Sequence, residues 1–216
     1  MGLVAVTAIV RSMNSNHAKL CPSPEWAEYL QRDILPSLVN QVLRGVPGGR
    51  PPGPAPLGEH MLEIGPGPGA ATDWLRHKVS RLTVLEVDPE AAAKLTANYA
   101  GTNVEVAVGD ATASAYPDET FDSIGSFTML HHVPTQALQN KIMAEAYRLL
   151  KPGGVFIASD SLASNDLHHF HVDDTYNPIE PATALVRLQV AGFDKITVIV
   201  DDVLKLIARK PAGDAS

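Results

Sequence analysis

The segment 61–70 constrains this chain more than any other, and it reads Met-Leu-Glu-Ile-Gly-Pro-Gly-Pro-Gly-Ala. An apolar run that suits a buried strand is followed by three glycines at alternate positions and then by the start of a helical pattern. Glycine tolerates positive φ and lets a ligand approach the backbone, and the N-terminus of a helix attracts polar ligands. The segment therefore predicts a strand, a tight loop and a helix at the edge of a parallel sheet, with a nucleotide-like cofactor against the loop.

The length and the charge narrow the class of protein. The chain has 216 residues, of which 45% are hydrophobic and 19% charged, and this composition suits one α/β domain with a buried core. The formal net charge is −7 and the 17 Lys and Arg residues are scattered, so the sequence predicts no nucleic-acid partner. No apolar run reaches the roughly 18–20 residues that span a bilayer, so no membrane span is expected.

The cysteine content and the first residues bear on location. The single cysteine, Cys21, cannot form a disulfide within the chain, which disfavours a secreted scaffold. Residues 1–10 are mildly apolar but lack the basic start of a secretory signal. We therefore expect a cytoplasmic protein, either a monomer or a homodimer.

Composition divides the chain into four parts. These are a tail and helical cap at 1–44, a Pro- and Gly-rich linker at 45–58, the core at 59–211 and a tail at 212–216. In the cap, Ser23 suits an N-cap before Pro24, and apolar residues then recur at helical spacing as far as Leu38. Pro36 lies inside this pattern and is expected to kink or break the helix.

From His60 onward the hydrophobic pattern alternates between strands and helices, which predicts a mostly parallel sheet. The predicted strands are 60–64, 82–86, 103–108, 121–127 and 155–159. The predicted helices are 70–78, 89–99, 135–150 and 181–192, the third of them ended by the Lys-Pro-Gly-Gly segment at 151–154. Two further strands, 195–200 and 203–208, are separated by two residues, which allows only an antiparallel hairpin. The expected fold is α/β, a Rossmann-like doubly wound sheet, mostly parallel, with a C-terminal antiparallel hairpin strand and an N-terminal helical cap.

An acidic residue stands at the end of the second predicted strand. Glu86 lies 21 residues after Gly65, which is the spacing at which an acid accepts hydrogen bonds from a ribose diol. Asp88 is a competitor for this role, but Pro89 follows it and favours its interpretation as a helix N-cap. We therefore assign the ribose to Glu86.

A second acid, Asp110, follows the third predicted strand and has two interpretations. Its carboxylate can accept a proton from the amino group of an adenine while the Ala111 amide donates to a ring nitrogen. Alternatively, Asp110 caps the short turn at Thr112. The residues alone leave both open.

Several segments together resemble the motifs of a known family, the class I S-adenosylmethionine-dependent methyltransferases. The resemblance covers about residues 60–210 and is nearest to a small-molecule group similar to quinone-biosynthesis methyltransferases. The segments that carry it are the glycine motif at 62–69, the acidic motif at 85–89, Gly-Asp-Ala at 109–111, the segment 121–133 with its Leu-His-His-Val end, and 149–154 before the fifth strand.

The resemblance implies a cofactor, S-adenosylmethionine, and a set of residues that hold it. The implied cofactor-binding residues are Glu63, Gly65 and Gly67 at the methionine part, Glu86 at the ribose, Val87, Asp110 and Ala111 at the adenine, and Phe127 at the methionine end. The same resemblance implies that His132 borders the transferred methyl group. An acid-lined pocket suits the sulfonium and ammonium charges of this cofactor.

Two other functions stay open at this point. Gly65, Gly67 and Ala70 also satisfy the pattern G-x-G-x-x-A of dinucleotide enzymes, so an NAD(P)-dependent oxidoreductase is one alternative. Glu63 ahead of the glycines, the terminal hairpin and the lack of a separate substrate domain argue against it. A non-catalytic S-adenosylmethionine-binding protein is the other alternative.

The acceptor is predicted to be a small molecule that is methylated on O, N or C. The segment Ser-Phe-Thr-Met at 126–129 differs from the Asn-Pro-Pro-aromatic motif of enzymes that methylate DNA amino groups. The only cysteine, Cys21, lies far from the position of the Pro-Cys nucleophile in cytosine-carbon enzymes. Protein-arginine enzymes carry a pair of glutamates in this region, and this chain has none there.

The polar segment 159–180 follows the fifth strand and should border the acceptor. In one hypothesis His171, or another histidine there, is a general base, since a pKa near 6.5 suits that task. In a second, His and Asp residues hold a divalent metal, and in a third the segment is a solvated lid. Cation-dependent catechol-type enzymes carry Asp-Asn where this chain has Asp160-Ser161, so no metal is expected. The catalytic candidates are therefore His132 and His171.

Overall fold

The computed structural model describes residues 20–44 and 56–213. The predicted tail before residue 20, most of the predicted linker and residues 214–216 lie outside the described residues. The helices are α1 Pro24–Tyr29, α2 Leu35–Arg44, α3 Ala70–Leu75, α4 Pro89–Asn98, α5 Gln136–Leu149, α6 Asn165–Phe170 and α7 Pro181–Val190. The strands are β1 His60–Ile64, β2 Arg81–Glu86, β3 Val104–Val108, β4 Phe121–Phe127, β5 Leu150–Asp160, β6 Asp194–Val200 and β7 Leu204–Arg209.

The strands form one seven-stranded sheet in the order β3-β2-β1-β4-β5-β7-β6. Strands β1 to β5 pair in parallel, while β7 is antiparallel to both β5 and β6. This confirms the predicted fold class, including the terminal hairpin. The chain winds from β1 toward β3 and then returns to place β4 on the other side of β1. A crevice at the carboxyl ends of β1 and β4 is therefore the expected ligand site of such a sheet.

Two apolar layers cover the two faces of the sheet. One layer joins the sheet to α5 and α7 through buried residues such as Ile142, Met143 and Leu188. The other joins it to α3 and to the N-terminal helical segment, with Leu30, Ile34 and others fully buried. The predicted N-terminal helical segment is thus present and packs on the sheet. No helix in the described parts of the chain is long and apolar enough to cross a membrane.

The N-terminal helical segment passes through Pro36 instead of breaking there. A π-helical turn, Leu30–Ile34, joins α1 to α2, and the Leu35 amide donates to the Leu30 carbonyl five residues earlier. Proline has no N–H, and its ring crowds the carbonyl four residues before it. The wider π turn accommodates the ring, and burial of Leu30, Ile34 and Leu35 holds the segment against the sheet.

Strand β5 is longer than predicted, because it begins at Leu150 directly after α5. Leu150 pairs with Phe121, and the register then shifts so that Val155 pairs with Ser123. The intervening Lys-Pro-Gly-Gly segment forms an irregular start of the strand, with Gly153 at φ 77°. The predicted helix end is confirmed, but the segment that ends the helix also starts the strand.

Candidate cofactor and acceptor site

The glycine loop joins β1 to α3, and its three glycines all have positive φ: 64° at Gly65, 54° at Gly67 and 98° at Gly69. A Cβ at Gly65 would lie 2.4 Å from Met129 Cγ, and one at Gly69 would lie 2.5 Å from Tyr99 Oη. A Cβ at Gly67 would meet nothing within 4 Å. Close packing therefore requires Gly65 and Gly69, whereas Gly67 borders open space where a ligand can approach the backbone.

Glu63 is a buried acid on β1, two residues before the loop. Its side chain is 2% exposed and accepts a hydrogen bond of 2.7 Å from the Thr72 hydroxyl on α3. The pKa of this carboxyl is raised to about 7, chiefly by burial. The Thr72 hydrogen bond lowers the pKa and the nearby Glu86 charge raises it, and both effects are smaller than that of burial. A cation bound beside Glu63 would favour its ionised form.

Glu86 ends β2, and the pairing of β1 with β2 brings it to the same edge as the glycine loop. Its Oε1 accepts hydrogen bonds from the backbone amides of Val87 and Asp88, at 2.9 and 3.0 Å. Burial raises the pKa of Glu86, while these amides and a backbone hydrogen bond from Gly67 oppose the rise. Glu86 therefore couples the end of β2 to the open glycine of the loop.

Asp88 takes the helix-capping position that the sequence predicts. The Asp88 carboxylate accepts from the Glu90 amide at 2.9 Å and caps α4, which confirms its interpretation as an N-cap. Val87 is half-buried between the two acids. The side chain of Glu86, rather than that of Asp88, stands at the strand end.

Asp110 follows β3 on the same sheet edge. Its Oδ1 accepts from the Thr112 amide at 2.7 Å, so the turn-capping interpretation describes this structure. Asp110 also lines a cavity of about 290 Å³ together with Val108, Gly109 and Tyr116. The neighbouring Ala111 is half-buried and packs on the core layer of α5. Capping uses one carboxylate oxygen and is compatible with a second role at the cavity.

Phe127 and Thr128 lie where β4 ends beside β1. Phe127 is 6% exposed and packs into the core layer beneath the N-terminal helical segment. Thr128 has φ 51°, which is rare for a β-branched residue and costs about 1–3 kcal/mol. Its amide donates to the Ser159 carbonyl on β5 at 2.7 Å. The sequence contains no signal for this strained turn, which directs the chain from β4 into the segment of His131 and His132.

Three histidines, His131, His132 and His171, come together and are called the histidine cluster below. One ring nitrogen from each lies within 4.8 Å of the others. The His131 ring centroid lies 4.1 Å from that of His132 and 5.1 Å from that of His171, and the latter two are 5.5 Å apart. The structure thus joins the two predicted catalytic candidates and adds His131.

Asp160, at the end of β5, holds His131 in place. It is 1% exposed, and its Oδ1 accepts from His131 Nδ1 while its Oδ2 accepts from the His131 amide at 3.0 Å. The Ser161 amide donates to Oδ1 at 2.8 Å. Along the chain, 29 residues separate Asp160 from His131. The two side chains meet because β4 and β5 are neighbours in the sheet.

His171 reaches the cluster from the segment after β5, which contains the short helix α6. Ser164 caps α6, and the His171 Nδ1 donates to the Leu167 carbonyl at 2.5 Å. The Tyr176 ring stacks on His171 with centroids 4.2 Å apart and an interplanar angle of 25°. By contrast, His168 and His169 on α6 are exposed.

A network of buried hydrogen bonds fastens this segment to the cluster. The Asn177 amide donates to the His131 carbonyl at 2.7 Å. Gln139 on α5 donates from its Nε2 to the carbonyls of Leu130 and Asn177, at 2.9 and 2.7 Å. The buried Arg187 on α7 donates to Gln139 Oε1 at 2.7 Å. The position of His171 therefore depends on side chains of α5 and α7, the two helices that pack on the same face of the sheet.

The geometry suits S-adenosylmethionine better than a dinucleotide. The loop has an open glycine at Gly67, and two buried acids, Glu63 and Glu86, stand at the ends of the neighbouring strands β1 and β2. Ionised carboxylates at this position attract a cationic ligand and repel the negative charges of a pyrophosphate. When bound, the cofactor supplies an electrophilic methyl group on a sulfonium.

Comparison with known proteins agrees with this geometry. Residues 62–158 match the methyltransferase domain family. A probable S-adenosylmethionine-dependent methyltransferase of Mycolicibacterium smegmatis is 30% identical over 144 residues, 63% of this chain and 52% of that protein. The 2-methyl-6-phytyl-1,4-hydroquinone methyltransferase of Synechocystis is 30% identical over 109 residues, 49% of this chain and 33% of that protein.

A solved S-adenosylmethionine-dependent methyltransferase from Methanosarcina mazei has the same fold, with a TM-score of 0.60, 20% identity and coverage of 71% of this chain and 92% of that one. The chain spans about half the length of the first curated relatives that it matches. Motifs, sheet topology and relatives agree on the family and its cofactor, S-adenosylmethionine. The chain thus contains, at residues 62–158, a methyltransferase domain that is similar to the class I S-adenosylmethionine-dependent methyltransferases.

Proposed function

We propose that this chain transfers the methyl group of S-adenosylmethionine to a small molecule. The observation that carries the proposal is the arrangement at one sheet edge. An acid-flanked glycine loop opens at Gly67, and His131 and His132 of the histidine cluster follow the neighbouring strand β4. Gly65 packs against Met129, two residues before His131, so cofactor loop and cluster are adjacent. Together these features supply a cation-binding pocket and a group of proton acceptors.

In this proposal the predicted residues keep their roles at the cofactor. Gly65, Gly67 and Glu63 form the methionine side, and Glu86 binds the ribose. The adenine lies against Val87, Asp110 and Ala111, and Phe127 supports the end of β4 behind the methyl group. The support is positional, since the register of β1, β2, β3 and β4 brings these strand ends to one edge.

The acceptor atom that suits the site best is the oxygen of a hydroxyl group. Such an oxygen retains its proton at neutral pH, so its methylation benefits from a general base. His132 or His171 would accept the hydroxyl proton as the oxygen bonds to the methyl carbon, and the electron pair of the carbon–sulfur bond would remain with sulfur. Alignment of the two reactants can itself supply roughly 7–11 kcal/mol of the barrier reduction.

A small acceptor is favoured by the charge of the chain and by a relative. The net charge of −7 opposes a polyanionic acceptor such as RNA. The Synechocystis relative is named for a hydroquinone, which is a small hydroxyl-bearing ring. A cytoplasmic location and a monomeric or dimeric state remain predictions.

Calorimetry with S-adenosylmethionine, its demethylated product and NAD tests the cofactor assignment. Binding of the first two without NAD is the expected result, whereas NAD binding alone would overturn the proposal. Turnover is then measured with labelled cofactor on phenols, hydroquinones, amines and total RNA. Cofactor binding without label in any acceptor would identify a non-catalytic binding protein, and label in RNA alone would replace the small-molecule acceptor.

A further inference from the structure

We propose that the histidine cluster binds one divalent transition-metal ion. His131, His132 and His171 each contribute one ring nitrogen to a set that spans no more than 4.8 Å. Ligands at 2.0–2.1 Å from a tetrahedral zinc ion lie about 3.4 Å from each other, so the ring nitrogens would approach one another by at most about 1.4 Å on binding the ion. This inference departs from the sequence expectation of no metal, because the ligands come from the end of β4 as well as from the segment after β5.

Two of the three histidines make the hydrogen bonds that are usual for metal-binding histidines. His131 donates from Nδ1 to the buried Asp160 carboxylate, and His171 donates from Nδ1 to the Leu167 carbonyl. In each neutral ring the proton therefore resides on Nδ1, and Nε2 carries the lone pair. Histidines that bind metals almost always donate their other ring N–H to a carboxylate or a backbone carbonyl, as these two do.

The chemistry of the ligands selects the kind of ion. Three imidazoles suit zinc, cobalt or nickel, whereas magnesium and calcium prefer oxygen ligands. Three protein ligands also leave a fourth position of a tetrahedral ion for water or for an acceptor oxygen. Asp160 is buried, and two backbone amides and His131 use its oxygens, so it supports a ligand instead of being one.

The ion would act at the acceptor, and this role rests on the proposed function. Binding of the ion to the three histidines is independent of that function. A hydroxyl oxygen in the fourth position would lose its proton to solvent more readily, since a bound ion lowers the pKa of its oxygen ligand. The ion and a proton compete for the same imidazole lone pairs. Occupancy would therefore replace the histidine base as the means of activating the acceptor.

Metal binding by the tag-free protein, without cofactor or acceptor, tests the proposal. Chelator-treated protein is titrated with Co²⁺ and followed by visible absorption, and zinc binding is measured by competition. We expect one ion per chain, loss of binding in His132→Ala and His171→Ala, and an affinity about 10–100-fold lower in Asp160→Asn.

The matched controls are His168→Ala and His169→Ala, which remove exposed histidines of the same segment. Both should bind the ion as the unaltered chain does. Circular dichroism and S-adenosylmethionine binding verify that each variant is folded, and His132, which is half-buried, is the substitution least disruptive to the core. Absence of stoichiometric binding, or equal binding in the folded His132→Ala and His171→Ala variants, would overturn the metal site whatever the turnover assays show.

Discussion

The Glu63 carboxyl shows how one residue can link folding to cofactor binding. It is 2% exposed, and burial raises its pKa to about 7. An acid whose pKa is higher in the folded chain than in the unfolded chain makes folding less favourable as the pH rises between the two values. The sulfonium and ammonium charges of the cofactor have the opposite effect, because they favour the carboxylate.

For Glu63→Gln we therefore expect a changed pH dependence. The free energy of unfolding of the unaltered chain should fall by about 3 kcal/mol more than that of the variant between pH 4.5 and 7. Affinity for S-adenosylmethionine should rise through pH 7 in the unaltered chain and stay flat and lower in the variant. Denaturant titrations and calorimetry across this range provide the measurement, and parallel pH profiles would contradict the prediction.

The glycines of the loop should separate packing from binding. Both Gly65→Ala and Gly67→Ala place a side chain at positive φ, at about 1–2 kcal/mol each. Gly65→Ala also forces a Cβ to 2.4 Å from Met129 Cγ and should lose more stability. Gly67→Ala meets no protein atom, so its main effect should be an affinity for S-adenosylmethionine lower by about tenfold, or ~1.4 kcal/mol. Thermal unfolding and calorimetry distinguish the two effects, and equal losses of stability would contradict the assignment.

At the scale of elements, side chains of α5 and α7 hold the segment after β5 in position. Gln139 is 1% exposed and makes hydrogen bonds to the Leu130 and Asn177 carbonyls and to Arg187. These bonds connect the 3₁₀ turn at 130–132 to the segment that carries His171. Burial lowers the pKa of Arg187, because removal from water disfavours the charged guanidinium.

Gln139→Leu should therefore destabilise the chain and displace the segment that carries His171. Loss of three hydrogen bonds, at a net value of about 0.5–1.5 kcal/mol each, costs about 2–4 kcal/mol. Turnover should fall more than affinity for S-adenosylmethionine, because the glycine loop is not part of this network. The control is Gln189→Leu, an equivalent change at an exposed position of α7, which should stay within about 0.5 kcal/mol. Denaturant unfolding and steady-state kinetics test both, and an unperturbed Gln139→Leu protein would refute the role of the network.

At the scale of the whole molecule, the C-terminal hairpin completes the core. Strand β7 lies between β5 and β6, so residues near the end of the chain pair with the strand that carries Asp160. Leu206 is fully buried and pairs with Ala158 and Val198. The hairpin therefore stabilises the same strand that positions the histidine cluster.

Leu206→Ala should lower the free energy of unfolding by about 2–5 kcal/mol, since it leaves a cavity in a fully buried layer. Val190→Ala removes an apolar side chain that is 82% exposed and should change stability by less than about 0.5 kcal/mol. Urea denaturation measures both variants. Similar values for the two would mean that the hairpin is not part of the cooperative core.

The sequence by itself determined the fold class, the glycine loop and the N-cap role of Asp88, because each depends on neighbouring residues. Glycine spacing, strand and helix periodicity and a two-residue connection are local signals. Only the tertiary structure decided the π turn before Pro36, the strained Thr128 and the histidine cluster. The contacts that build the cluster join residues 29, 38 and 48 positions apart, and such partners meet only when strands and helices pack. His131 in particular is identified by Asp160 on the next strand, which no local pattern contains.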